Sequence, residues 1–301
     1  MENRNALSIV DPHIHLLNYS EGKYEWLKPK NAPHWPDKPL IARNVGIDEL
    51  YLSNGLQLQG AVHIEAGFDN SQAELEIAWL EDIKQAKNTI ELASIAYADL
   101  RLAHQKFVSV IKKLTKYQSV QGIRHIIDSD IEMLCSNAQV TSNLAYLEQN
   151  DLLFELQFDA CNSKHTAIIY DFFSQFPRLK LVLNHAGFAP CYKSNLFQAW
   201  QTNVRKLSLL PQLFVKCSGF EMVNRQYTST QINSVFSECI KAFGQQRVMC
   251  TSNYPLTTFS CSYQQYWEKV YREVSQLLNN NIADITDVMQ KNASTLYKLR
   301  Q

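Results

Sequence analysis

Residues 7–15 read LSIVDPHIH. Four residues suited to a strand run into an acid, a proline and two histidines one residue apart. In a doubly wound open sheet, a glycine-rich phosphate turn usually follows the first strand. Here that place is taken by DPHIH, and the whole chain has only 9 glycines. Seven further short apolar runs follow: GAVHIEA (60–66), LASIAYADL (92–100), VQGIRHII (120–127), LLFELQF (152–158), LKLVLNH (179–185), LFVKCSG (213–219) and RVMCTS (247–252). Each is about strand length, and most are rich in Val, Ile, Leu or Phe. Strands alternating with helices imply a parallel sheet covered by helices. Eight strands are the number that closes a barrel, and 301 residues is within its usual size. The expectation is an α/β protein, a single (β/α)₈ TIM barrel over residues 1–301; the open doubly wound sheet is the alternative.

Helical spacing fills the intervals. In SQAELEIAWLEDIKQA (71–86), Leu75, Ala78, Trp79, Ile83 and Ala86 share one face, with Ser71 as the N-cap. Phe107, Val110, Ile111 and Leu114 repeat the pattern in 104–117. Further helices are predicted near 140–150, 164–175, 195–208, 230–242 and 262–279, and a C-terminal helix over 284–299 closes the chain. The polar, proline-bearing segment 18–44 exceeds an ordinary βα connection. In a barrel this long first βα loop would lie over the mouth.

Lys plus Arg equals Asp plus Glu at 29 each, which gives no sign of a nucleic-acid or anionic-membrane partner. The 7 cysteines are scattered and form no C-x-x-C pair, as expected of reduced thiols. MENRNALSIV carries no apolar leader, and no stretch reaches the length of a membrane span. These features predict a soluble cytoplasmic protein whose partner is a small-molecule substrate.

Catalytic groups of such barrels sit at the C-terminal strand ends. Residues two apart on a strand point the same way, so His13 and His15 can aim at one point, as a metal ion or an oxyanion requires. His185 would join them from strand 6. Glu65 ends an otherwise apolar run and must be paired, metal-bound or solvated. Arg124 offers a five-donor fork for a substrate carboxylate, or pairs with Glu65. Lys216 would hold an anionic group or neutralise a buried acid. His63 reads as a hydrogen-bonded core residue, and His125, alternating away from Arg124, as facing the helix layer. Trp35, Phe188, Tyr192 and Tyr227 lie in loops that could stack on a substrate ring.

Taken in order, VDPHIHL, GAVHIEAG, QGIRH, LLFELQF, FPRLKLVLNHAG, LFVKCSGF, FGQQRVMCTSNYPL and KNASTLYKL resemble the amidohydrolase superfamily. More narrowly they resemble its lactonase branch, which includes L-fuconolactonase and 2-pyrone-4,6-dicarboxylate lactonase. The resemblance implies hydrolysis of a cyclic ester of a sugar acid or small dicarboxylate. By the same resemblance His13, His15 and His185 polarise the lactone carbonyl or hold a metal, and Arg124 binds a substrate carboxylate or hydroxyl. The branch ends strand 8 in Ser-Asp-Trp-Pro, whose Asp activates water; this chain has Ser252-Asn253-Tyr254-Pro255. Binuclear members carry a bridging Lys or Glu on strand 4 and a His on strand 5. GIRH and FELQFDA offer neither, so the expectation is one divalent ion such as Zn on His13 and His15, or no metal. Three accounts of Asn253 follow: another group such as Glu65, Asp159 or Glu221 takes the proton; the barrel binds a sugar acid without turnover; or the position is itself altered. A metal-dependent decarboxylase of the same superfamily is the alternative activity.

Overall fold

The computed structural model describes residues 6–87, 90–128 and 130–300. The opening stretch forms β1 (Leu7–Ile14), which pairs in parallel with β2 (Leu56–Ile64). After α1 (Glu74–Lys87) come β3 (Glu91–Tyr97), α2 (His104–Leu114), β4 (Val120–Arg124), α3 (Ile131–Cys135), α4 (Ala138–Gln149) and β5 (Leu153–Leu156). The second half runs α5 (Ser163–Phe173), β6 (Leu181–Leu183), α6 (Leu196–Leu207), β7 (Leu213–Cys217), α7 (Phe220–Val223), α8 (Ser229–Phe243), β8 (Val248–Cys250) and α9 (Tyr263–Leu277). The strands form one 8-stranded parallel sheet in chain order. The first strand and the chain just past the last one meet through two backbone–backbone bonds: the Asn253 N–H donates to His13 O at 3.0 Å and the His15 N–H to Tyr254 O at 2.7 Å. The architecture is a (β/α)₈ barrel.

Each expected strand forms; β3 to β8 are shorter than their apolar runs, whereas β2 begins four residues before its run, at Leu56. The helices differ in two places. α1 starts at Glu74, and Ser71 caps nothing: its Oγ and N–H both donate to Asp69 Oδ1, at 2.6 and 3.0 Å. The inward face of α1 is Glu76, Ile77 and Leu80, while Leu75 is exposed. The expected face is rotated because Glu76 is drawn inward by a partner on β2. The C-terminal helix is interrupted: α10 (Ile282–Thr286) and α11 (Asn292–Leu296) flank a π-helical turn over Asp287–Lys291.

The segment 18–44 crosses the mouth as expected. Trp26 Nε1 donates to Ala66 O at 2.7 Å, which fixes one end to the strand below. At the other end Arg225 donates to both oxygens of Asp37, at 2.6 and 3.0 Å. The Arg225 guanidinium also lies 5.3 Å from the Trp35 ring and 4.4 Å from that of Phe259. All 7 cysteines are free thiols. No helix of the described residues is long and apolar enough to cross a membrane.

Candidate active site

A cavity of about 650 Å³ opens at the C-terminal ends of the strands. His15, Glu65, Arg124, His185 and Asn253 line it, and Trp26, Pro33 and Trp35 of the crossing segment roof it. His13 lies just beneath, fully buried. Its ring centroid is 5.0 Å from that of His15 and 4.6 Å from that of His185. The histidines that the sequence places far apart therefore meet at one point.

Their protonation follows from their partners. His15 Nδ1 lies 2.8 Å from Ile64 O, an acceptor only, so Nδ1 carries the proton and Nε2 a lone pair. That Nε2 is 3.2 Å from His13 Nε2. Either His13 donates there, or two lone pairs face a shared cation. His185 Nδ1 contacts Ser218 Oγ at 2.9 Å, which leaves Nε2 free. Burial holds the pKa of His13 and His15 well below the ordinary range and pushes His185 down to about 3; Arg124 acts the same way on all three, and Lys216 on His13 and His185. All three rings are uncharged at neutral pH. His185 itself sits in the left-handed region (φ 54°), as do Ala186, Gly187 and Phe188. Such backbone costs energy and persists only where the surroundings impose it. Gly219 is part of those surroundings: a Cβ there would come within 2.9 Å of His185 Cβ.

Of the two roles considered for Arg124, the pairing with Glu65 is formed. The side chain lines the cavity, and it is also held by Glu65: Nε donates to Glu65 Oε1 at 2.7 Å and Nη2 to Glu65 O at 2.8 Å. Nη1 donates to Gln157 Oε1 at 3.3 Å. Burial raises the Glu65 carboxyl above its ordinary value, against the pull of Arg124.

Asn253 is held by backbone and side chain alike. Its φ of 61° is a left-handed conformation that Asn tolerates better than most residues. Its Nδ2 donates to Glu221 Oε1 at 2.6 Å and lies 3.4 Å from Met222 Sδ. Glu221 is fully buried, and burial pushes its carboxyl up to about 7. Next to Asn253, Ser252 donates to Asp11 through both N–H (3.1 Å) and Oγ (2.5 Å), tying the last strand to the first.

Other expectations need correction. Lys216 does not reach the cavity. It lies deeper in the barrel, where Nζ donates to both oxygens of Glu155, at 2.7 and 2.8 Å, and the Tyr297 hydroxyl donates to Glu155 Oε1 at 2.5 Å. Its neutralising role, and not anion binding, is the one its position allows. Asp159 is exposed and accepts the Cys161 N–H, away from the cavity. Tyr192 and Tyr227 line a separate hollow of about 190 Å³, whereas Phe188 and Trp35 do face the main cavity. His125, expected among the helices, lines the cavity, and its Nδ1 accepts the Leu100 N–H at 3.3 Å. Strand alternation fails there because β4 ends at Arg124. Asp128 and Gln157 line the cavity too; Gln157 stands at the end of the strand-5 run, and no motif singled out Asp128. His63 is the expected core residue: Nδ1 accepts the Leu16 N–H at 3.1 Å, and Nε2 is 3.1 Å from Glu76 Oε1.

The amidohydrolase family profile matches residues 10–299. This chain is an amidohydrolase-family protein. An uncharacterised protein of Sinorhizobium fredii is 24% identical, with 97% of this chain and 99% of the relative covered. An L-fucono-1,5-lactonase of Burkholderia multivorans is 23% identical, with 87% of each covered. A solved Burkholderia multivorans amidohydrolase with bound zinc superposes with a TM-score of 0.80 at 21% identity, covering 97% of this chain and 99% of that one. A structural likeness at that identity is one of fold.

Members of an amidohydrolase fold raise the question of a metal. Two imidazole nitrogens on a tetrahedral zinc lie about 3.3 Å apart at ordinary Zn–N lengths. The His13 and His15 Nε2 atoms are 3.2 Å apart and uncharged, which fits. Among the described residues, however, no three His, Cys, Asp or Glu side chains gather as a ligand set. His13 and His15 are the residues that would hold one ion, through Nε2, with no third such side chain among the described residues to close the set.

Proposed function

We propose that this amidohydrolase opens a cyclic ester, a lactone of a sugar acid or a small dicarboxylate. The observation that carries the reading is the convergence of uncharged imidazoles, a carboxylate–guanidinium pair and a carboxamide on one roofed cavity. That set suits water addition to a carbonyl, which needs stabilisation of an oxyanion and an acceptor for one proton.

In this reading the lactone carbonyl lies over His15 and His185. With the Ser218 hydroxyl donating to Nδ1, His185 carries its proton on Nε2 and donates it to the developing oxyanion. Arg124, with donors left over from Glu65 and Gln157, fixes a carboxylate or hydroxyl of the substrate. Water attacks the carbonyl carbon, and its proton passes to Glu65. The ring C–O bond then breaks, and the departing alkoxide takes the proton back from Glu65, leaving a hydroxy acid. A divalent ion such as Zn²⁺, held by His13 and His15 through Nε2, would add Lewis-acid polarisation when bound. Asn253 cannot accept the proton; it orients the water.

The test is acid release from a panel of sugar-acid and dicarboxylate lactones, with Glu65→Gln alongside the parent. Turnover by the parent and a loss of about 10²–10⁴ in kcat for the variant are expected. Because burial raises the Glu65 pKa and the base form is needed, the rate should fall with acidity at a pH above the ordinary carboxylate range. No turnover of any lactone, carbon dioxide release from a carboxylic acid instead, or an unchanged rate with Glu65→Gln would each remove the proposal.

A further inference from the structure

An amide is two-faced: one end donates, the other accepts, and nothing in its shape decides which end meets a substrate. At position 253 the surroundings decide. Asn253 lines the cavity, its backbone N–H is committed to His13 O, and its Nδ2 is committed to Glu221. Among the described residues its Oδ1 has no partner, although it is buried. A buried acceptor without a donor is costly, and a water or substrate hydroxyl on the cavity side would satisfy it.

Glu221 is held for this contact. It opens no path to solvent of its own, and its backbone carbonyl accepts from Arg225 Nη1. It follows Gly219 and Phe220 at the start of α7, on the connection after β7, and it reaches the end of β8 from behind. The charged and titratable groups around it are Arg225, which favours its ionised form, and the phenols of Tyr227 and Tyr266. An ionised carboxylate only accepts, so it selects the donor end of the amide.

We infer that Glu221 is a positioning residue for the reaction: by accepting the Asn253 Nδ2–H, it presents the amide oxygen to the attacking water. The inference rests on the lactonase reading for its chemistry, but the orientation of the amide can be measured without it. The pair then divides between two residues what a single carboxylate could do at position 253. Asn253 supplies the acceptor that aims the water, and Glu221 supplies the charge that fixes the acceptor.

The decisive experiment compares the parent, Glu221→Gln, Asn253→Asp and the double variant, with kcat and KM measured from pH 5 to 9 on a lactone the parent hydrolyses. Glutamine at 221 can donate as well as accept, so it no longer selects the orientation. A drop in kcat of about tenfold at unchanged KM is expected, the size of one hydrogen bond to a charged group. The part of the pH dependence near neutrality that belongs to Glu221 should also disappear, leaving the acid limb set by Glu65. Asn253→Asp alone brings two carboxyls into contact and should shift its rate profile to higher pH. Adding Glu221→Gln to it should relieve that shift and recover kcat. A Glu221→Gln variant with the parent's kcat and pH profile overturns the inference. If the parent hydrolyses no lactone, the function proposal fails alone. The Asn253 side-chain amide resonance, assigned by its loss in Asn253→Asp, then reports on the pair directly. A titration of that resonance with a midpoint near neutral pH supports the inference, and a signal that stays fixed from pH 5 to 9 overturns it, even if Glu221→Gln does not fold.

Discussion

Glu221 shows what a single buried acid costs and what it supplies. Its carboxyl is pushed up from 4.5 to about 7, so the folded protein keeps a proton that the unfolded chain has released between those values. Stability from this group is therefore lost as pH rises through that window, by up to about 3 kcal/mol. Urea unfolding of Glu221→Gln against the parent should show the variant gaining on the parent between pH 4 and 8; a constant difference would mean that Glu221 is not perturbed. The same carboxylate, once ionised, orients Asn253. Function at this residue is set against stability, as is common where a charge is kept out of water. His185 carries a similar load in its backbone, held in the left-handed region with Gly219 leaving room behind it.

At the scale of elements, the segment 18–44 is the part most open to manipulation. It is anchored at Trp26 by one hydrogen bond and at Asp37 and Trp35 by Arg225, which also bonds the Glu221 carbonyl. One side chain thus joins the roof of the cavity to the short helix that carries Glu221. Arg225→Ala should raise KM several-fold and expose the 28–40 region to limited proteolysis, while costing about 1–2 kcal/mol in stability for the lost ion pair and ring contacts. An unchanged cleavage pattern would show that the contacts at Lys23, Tyr24 and Trp26 hold the roof without Arg225. Helix α1 makes a different point. Its apolar residues suggested one inward face, yet the buried Glu76, bonded to His63 and to the Ala66 N–H, turns another face to the barrel. Hydrogen-bond demand on β2 outweighs hydrophobic periodicity there, because a histidine and a backbone N–H would otherwise be buried without partners.

For the molecule as a whole, the barrel is braced below the cavity by Lys216 of β7, Glu155 of β5 and Tyr297, which follows α11. Both ions are fully buried, so removing one leaves the other uncompensated. Lys216→Met should cost about 3–5 kcal/mol in thermal or urea unfolding, and Lys216→Met with Glu155→Gln should recover much of it. A KM that rises in Lys216→Met would return this lysine to the substrate. Above the brace, the barrel closes through the backbone of the site itself, since Asn253 and Tyr254 bond to His13 and His15. The strands, the histidine pair and the amide at 253 were legible in the chain, because strand periodicity and short motifs are local properties. Which side of Lys216 meets an acid, which face of α1 turns inward, that His125 and Asp128 reach the cavity, and that Glu221 stands behind Asn253 were not. Those facts depend on partners 10 to 61 residues away in the chain and on where each strand stops. Sequence by itself determined the kind of barrel and the order of its strands; tertiary structure decided where each strand stops and which buried charges meet, because a charge withdrawn from water takes its partner from whatever the fold brings within reach.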